Sequence, residues 1–461
     1  MLVDGRRLEG LILSDEASLI DGGPLAFIEI VQPPGRPTYL IGWPEIPGDR
    51  LASWQRLPEG PHAELASRVQ RIRTRRDTLA RAELAVRLSR SGEDGPWEYR
   101  GPWFELTSTA DPSLTRKAIV RLERLLATFE RLLPADPHDA ADGAGDLRVE
   151  LCGTPADERR RTTALGIEPD HPAFYVPDQR LLFAGCEVPT VMRHFRTAEE
   201  ALDLAEAAYV ARHESIDTRL EGMAGQLAEQ GVPSAKRAEA VRRARLRDDL
   251  EHERAMQRIK AARRRNRRLL EDAEQRFHRW LAHEAWHAHA ERLAEGDGLP
   301  LWLDEGLAQV MEHAQMEVGS LRLDAADPQR LASLQADLSA DPLAIAAVIT
   351  ADSGDFLVGH GEGGEGGSGP NGHEASRRKY LYAWGLALDL ALISPVLSRE
   401  RLLAARADAD DPLEAFERLV GESIEAFEPR WRRRILGLSR RGDVAIPPRE
   451  PAEPPAAAAE R

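Results

Sequence analysis

One stretch of this 461-residue chain limits what the rest can be: Trp280 to His313, WLAHEAWHAHAERLAEGDGLPLWLDEGLAQVMEH. Within it, His283-Glu284-Ala285-Trp286-His287 forms an H-E-x-x-H with no Gly or Pro inside. On an α-helix, residues four apart stand one above the other, so both imidazoles point the same way. Two such nitrogens make half of a tetrahedral zinc site, and the glutamate beside the first is placed to act as general base. After the break at Gly296–Pro300, a second helix is predicted from about Leu301, with Glu305 as a third ligand. Three protein ligands and one open position are the mark of a catalytic rather than a structural zinc.

The plain alternative is a pair of solvated histidines on a charged helix. The companion run Leu299 to Ala308 argues against it. There Trp302, Leu303, Leu307 and Val310 form an apolar stripe with an acid set among them. A carboxylate beside an apolar face needs a partner, and a cation is a natural one. Asp304 points about 100° away from Glu305 around the helix, so it reads as orienting a neighbour rather than binding metal.

The two motifs together, H-E-x-x-H and P-x-W-L-x-E-G-x-A (Pro300 to Ala308), resemble the gluzincins, the thermolysin-like and aminopeptidase-like zinc metallopeptidases. More narrowly they are similar to an uncharacterised bacterial branch of that clan, the peptidase MA-like domains. The resemblance covers about residues 97–195 and 275–395. It implies Zn2+ on His283, His287 and Glu305, with Glu284 as general base and a peptide or protein as substrate. It also implies an α+β catalytic domain in which a small mixed sheet meets a helical lobe. In such domains an exposed edge strand pairs with the substrate backbone. Residues 180–184 are the candidate edge, an ordinary covered strand being the other reading. The branch carries a tyrosine four residues before a tryptophan, a spacing that Tyr380 and Trp384 match. A phenol there would donate to the oxyanion, although core packing explains the same residue. Tyr382 lies about 200° from Tyr380 around a helix, so only one of the two can face the metal. His360 and His373 are the alternatives on a neighbouring loop.

The remaining chain is divided by its composition. Residues 1–60 alternate short apolar runs (8–13, 25–31, 38–41) with Gly/Pro turns, which suggests a small all-β, SH3-like module. Residues 61–95 read as an Arg-rich helical linker, and 96–196 as the β-rich lobe of the catalytic domain. Asp111-Pro112 supplies an N-cap and an N1 proline for a helix to about Leu133. Residues 197–275 read as a charged helical hairpin insertion, turning at Gly231-Val232-Pro233. Residues 276–440 form the metal-binding helical lobe, and 441–461 a Pro/Ala/Glu-rich disordered tail. Within the hairpin, Arg263 to Arg268 is read as a solvated face with acids nearby, rather than as a nucleic-acid or acidic-partner patch. Gly359 to Gly364 matches G-x-G-x-x-G but follows no strand, opens no helix and carries acids that would repel phosphate, so a nucleotide site is rejected.

Net charge is −15, with both signs interspersed, so neither nucleic acid nor an anionic membrane is an expected partner. Cys152 and Cys186 sit in no C-x-x-C and read as ordinary thiols. No signal-like or membrane-length apolar run is visible, and a cytoplasmic location is expected. The expected activity is metal-assisted hydrolysis of a peptide bond, with an endopeptidase favoured because no G-A-M-E-N-like element is present. Two readings compete with it: a catalytically inactive gluzincin-like scaffold that binds proteins, and a charged helical structural protein with an accidental motif.

Overall fold

A computed structural model describes residues 2–438, apart from 6–7, 9, 15–18, 32–38, 94, 135–146, 169–170, 294–297, 314, 318–319, 323–326, 357–369, 408 and 410. The fold is mixed α+β and mostly helical. The chain opens with β1 (Gly10–Ile12), β2 (Leu25–Val31) and β3 (Tyr39–Ile46), an antiparallel meander. Alternation places Ile12, Leu25, Phe27 and Ile46 on one face, and Leu11 and Ile28 on the other. Helix α1 (Glu59–Ala85) lays Val69 against Leu11 and Ile28. The expected SH3-like barrel is not formed. Among the described residues the sheet has three strands and stays open, because a helix rather than further strands covers its second face. Residues 61–95 are thus more than a solvated linker.

The second sheet contains β4 (Ser89–Arg90), β5 (Trp97–Arg100), β6 (Phe104–Ser108), β7 (Leu147–Leu151), β8 (Ala173–Val176) and β9 (Leu181–Ala184). Its order is β4-β5-β6-β7-β9-β8, with β6, β7 and β9 parallel and both margins antiparallel. Helix α2 (Pro112–Leu132) crosses from β6 to β7. Asp111 caps it by accepting from the Ser113 amide at 2.9 Å, and Ile119, Leu122, Leu126 and Phe129 are buried along one face. Helix α3 (Pro155–Leu165), capped by Thr154, closes at Gly166, whose φ of 68° suits glycine. One edge of the sheet is β8, the other β4, and β9 lies between β7 and β8, so the strand expected at the edge, 180–184, is interior. The reason is the tight turn at Pro177–Gln179, with Arg180 left-handed, which folds β8 outward while the wholly buried β9 pairs with β7.

Three helices follow: α4 (Glu187–Glu214), α5 (Ile216–Glu229) and α6 (Ser234–Leu293). The turn before α6 contains Gly231, with φ of 72°, as its Gly-Val-Pro sequence suggested. Helix α6 runs for 60 residues, about 90 Å at 1.5 Å per residue. It has no Gly or Pro, so the expected division at 275–276 falls inside one unbroken helix. Its distal part is buried on one side only, whereas residues 280–290 are buried almost all round.

The helical lobe comprises α7 (Leu301–Met311), α8 (Pro328–Ala340), α9 (Ile345–Ile349), α10 (Ser353–Phe356), α11 (Pro370–Leu388), α12 (Arg399–Ala407), α13 (Pro412–Val420) and α14 (Ile424–Gly437). A hairpin of β10 (Gln315–Glu317) and β11 (Ser320–Arg322) follows α7. After α11 comes a π-helical turn, Asp389–Ile393, where fully buried Asp389 accepts from Arg434 Nε at 2.9 Å. The G-x-G-x-x-G run, His360 and the tail from 441 lie outside the described residues. His373 falls in α11, but its side chain is outside them too. One continuous core joins α2, the second sheet, the end of α6 and the helical lobe. Among the described residues, no helix is long and apolar enough to cross a membrane.

Helix α7 sits against α11 so closely that a Cβ on Gly306 would lie 2.4 Å from the Ala383 carbonyl oxygen and 2.8 Å from Ala387 Cβ. The glycine beside the acid is therefore a packing requirement. Gly306→Ala is expected to destabilise the protein by about 1–3 kcal/mol through overpacking, despite alanine's better helix propensity. In α5, a Cβ on Gly222 would meet nothing within 4 Å, and Gly222→Ala should stabilise by about 0.5–1 kcal/mol. Urea unfolding of both variants checks the pair; equal effects would contradict the packing argument.

Candidate metal centre

His283 and His287 leave α6 on one face, with ring centroids 4.8 Å apart and planes at 73°. Each ring is fixed by a carboxylate at Nδ1. His283 Nδ1 lies 3.0 Å from Glu312 Oε1, and His287 Nδ1 lies 3.0 Å from Asp304 Oδ2. An ionised carboxylate can only accept, so each Nδ1 carries the proton and each Nε2 is left for another partner. Both Nε2 atoms turn to Glu305, at 3.7 Å from Oε2 for His283 and 3.9 Å from Oε1 for His287. One donor atom from each of His283, His287 and Glu305 falls within 4.8 Å of the others.

The carboxylates are themselves held. Asp304 Oδ1 accepts from the Trp286 indole at 3.0 Å, and Glu312 Oε2 accepts from Arg330 at 2.7 Å. Asp304 thus orients a neighbour, as its position beside Glu305 suggested. Glu312 follows Glu305 by seven residues, two turns on the same face, so its place was readable from spacing. Arg330, from α8, left no signal in the sequence.

Four acids and two imidazoles share this corner, and burial sharpens their competition. Burial works against a charged His287, but Asp304, Glu305 and Glu284 outweigh it and lift the imidazole to about 10. For Glu305, burial raises the carboxyl and wins over both histidines. Burial also opposes ionisation of Glu312, yet Arg330 and His283 hold it down to about 2. Glu305 Oε2 is buried without any hydrogen-bond partner. Such an orphaned acceptor, on a carboxylate that faces two imidazole nitrogens, is the environment that a divalent cation satisfies. The two-nitrogen, one-carboxylate donor set fits zinc.

Glu284, 7% exposed, turns to the sheet edge, where its Oε2 accepts from the Tyr175 amide of β8 at 2.8 Å. The Tyr175 hydroxyl donates to Glu291, two turns further along α6. On the other side of the motif, His171 stacks on Trp280 at 3.8 Å, and Trp280 tilts against His283. The sequence did not signal the contacts of Tyr175 and His171, since each joins α6 to a segment more than a hundred residues away.

Tyr380 is near the acids but not aimed at the ligands. Burial, Glu305 and Glu284 all raise its phenol, while its hydroxyl donates to the Phe356 carbonyl. Tyr382 faces away, donating to Asp337 at 2.7 Å and accepting from the Leu343 amide. His289, two residues after the motif, also points elsewhere: its Nε2–H donates to Leu133 O at 2.9 Å, tying α6 to the end of α2.

The centre thus defines an α+β protein with a buried two-histidine, one-glutamate cluster beside a sheet edge. No family model matches the chain, and no curated protein or solved structure is significantly similar to it.

His289 generates a pH test of this anchoring. Burial lowers it to about 4, Arg292 adding to the effect and the bond to Leu133 opposing it. A histidine depressed on folding contributes stability that is complete above its unfolded value, near 6.5, and is lost as pH falls toward 4. Over that window the parent should lose about 3 kcal/mol more unfolding free energy than His289→Gln, in chelator-containing buffer. Parallel stability curves for the two proteins would contradict the assignment.

Proposed function

We propose that this chain is a zinc-dependent metallopeptidase of the gluzincin type, with His283, His287 and Glu305 as ligands and Glu284 as general base. One observation carries the reading. Two imidazoles held at Nδ1 by carboxylates turn their Nε2 atoms onto a buried carboxylate whose Oε2 has no hydrogen-bond partner, and the H-E-x-x-H glutamate stands on the same helix as the imidazoles. Carboxylate–histidine pairs of this kind are what fix metal-binding imidazoles in place.

When bound, the ion would supply Lewis acidity for a water and for the scissile carbonyl. The protein supplies the rest. The Tyr175 amide fixes one oxygen of Glu284, which leaves Oε1 to take a proton from the attacking water and return it to the leaving amine nitrogen. The balanced outcome is one peptide bond and one water converted to a carboxylic acid and an amine. Strand β8, as the sheet edge beside Glu284, is the element that would pair with an extended substrate. Tyr380 enters only if its hydroxyl leaves the Phe356 carbonyl.

Protein purified without added metal should contain about one equivalent of zinc and cleave members of a peptide library. Glu284→Gln should keep the zinc and lose about 10²–10⁴ in turnover. His287→Ala should lose both zinc and turnover. A Glu284→Gln protein as active as the parent would end the mechanism, and full zinc occupancy without cleavage of any peptide would favour the scaffold reading. Asp304→Asn and Glu312→Gln should each weaken zinc binding by about 10–100-fold in a chelator competition. Unchanged affinity in both would remove the carboxylates from the account.

A further inference from the structure

From Arg254 to Leu270, seventeen residues of α6 contain eight cations, no Asp, no Glu and no aromatic residue. The sequence suggested that nearby acids neutralise the arginine run, and the structure divides that run in two. Arg263 turns toward α4 and is held by Glu206 at 2.7 Å, by Asp203 and by Glu199. Arg254, Arg258, Arg264, Arg265, Arg267 and Arg268 are exposed and have no hydrogen bond or ion pair among the described residues. They cover the solvent side of the helix over about 21 Å. Like charges three and four residues apart, as in Arg265/Arg268 and Arg254/Arg258, weaken a helix rather than support it. Among the described residues, no ion pair offsets that cost.

We propose that this cationic cuff is a docking surface for an acidic, extended segment of the protein substrate. The inference rests on the peptidase reading and names its substrate class. The cuff and the site share one unbroken helix, and Arg265 lies five turns before His283, on the same side of the helix. From Arg268 to His283 is about 22 Å, and from Arg254 about 44 Å. An extended chain covers about 3.3 Å per residue, so the acidic tract would lie roughly 7–13 residues from the scissile bond.

Charge complementarity and shape favour a protein partner over nucleic acid. The stretch offers no aromatic platform for bases. Acids on α4, Glu199, Asp203 and Glu206, flank it at Arg263, and the chain as a whole carries −15. A broad polyanionic rod would meet those acids, whereas a thin extended segment laid along the outer face of α6 would not.

The test reads binding on full-length Glu284→Gln protein, so its result is independent of hydrolysis. A fluorescein-labelled ten-glutamate peptide, its ten-glutamine counterpart and a labelled 20-base-pair DNA duplex are titrated by fluorescence anisotropy. The glutamate peptide should bind and the glutamine peptide should not. Replacing Arg258, Arg264, Arg265 and Arg268 together by Gln should weaken binding at least tenfold. Gln matches Arg in helix propensity, and unchanged circular dichroism confirms that the fold persists. Absence of binding, equal binding to the four-Gln variant, or tighter binding of the duplex would overturn the proposal.

Discussion

Buried ionisable groups must find partners, and in this protein the need is concentrated where α6 meets α7. His283, Glu284 and Glu305 are each less than a tenth exposed, in a core otherwise lined by Leu, Ala, Trp and Phe. Unpaired charges in such a place cost several kcal/mol each, so the surrounding elements are arranged as partners. Asp304 and Glu312 take the Nδ1 atoms, Arg330 takes Glu312, and the β8 amide takes one oxygen of Glu284. Glu305 Oε2 is left without a hydrogen-bond partner, and its carboxylate lies where the two Nε2 atoms converge. The proposed function is a reading of that one unsatisfied atom.

The packing serves the same end. Small residues around the site, Ala282, Ala285 and Gly306, are buried, and Gly306 lets α7, the helix that carries Glu305, pack directly on α11. The sheet contributes its edge rather than its face, so an acid on α6 can bond a backbone amide that no other strand uses. Helix α6 then extends the site's rigid support outward for tens of ångströms. The distal hairpin and the candidate centre are thereby one mechanical object, which is why a surface far along the helix can bear on what reaches the site.

Local chemistry was legible in the sequence, and long-range assembly was not. Strand 25–31 stands where its apolar run between Gly/Pro turns placed it, and Asp111 caps α2 as its Asp-Pro pair implied. Helix α3 was missed even though Thr154-Pro155 and Gly166 mark both of its ends. The open first sheet and the edge position of β8 depend on strand order, which no local pattern encodes. Spacing put His283, His287 and Glu305 together because each lies at a readable helical position. By contrast, Glu284 meets Tyr175 across 109 residues, and the Tyr380 hydroxyl is drawn away by a carbonyl of α10. Those contacts are set by how the lobes pack, which periodicity does not report.

The central claim is that two imidazoles and one carboxylate share an ion. X-ray absorption at the zinc edge, on protein loaded with one equivalent of zinc, addresses it without reference to activity. The account predicts two imidazole nitrogens and oxygen donors at about 2.0–2.2 Å, with imidazole outer-shell scattering that His283→Ala and His287→Ala each reduce. A shell of oxygen alone, or a spectrum unchanged by both substitutions, would contradict it.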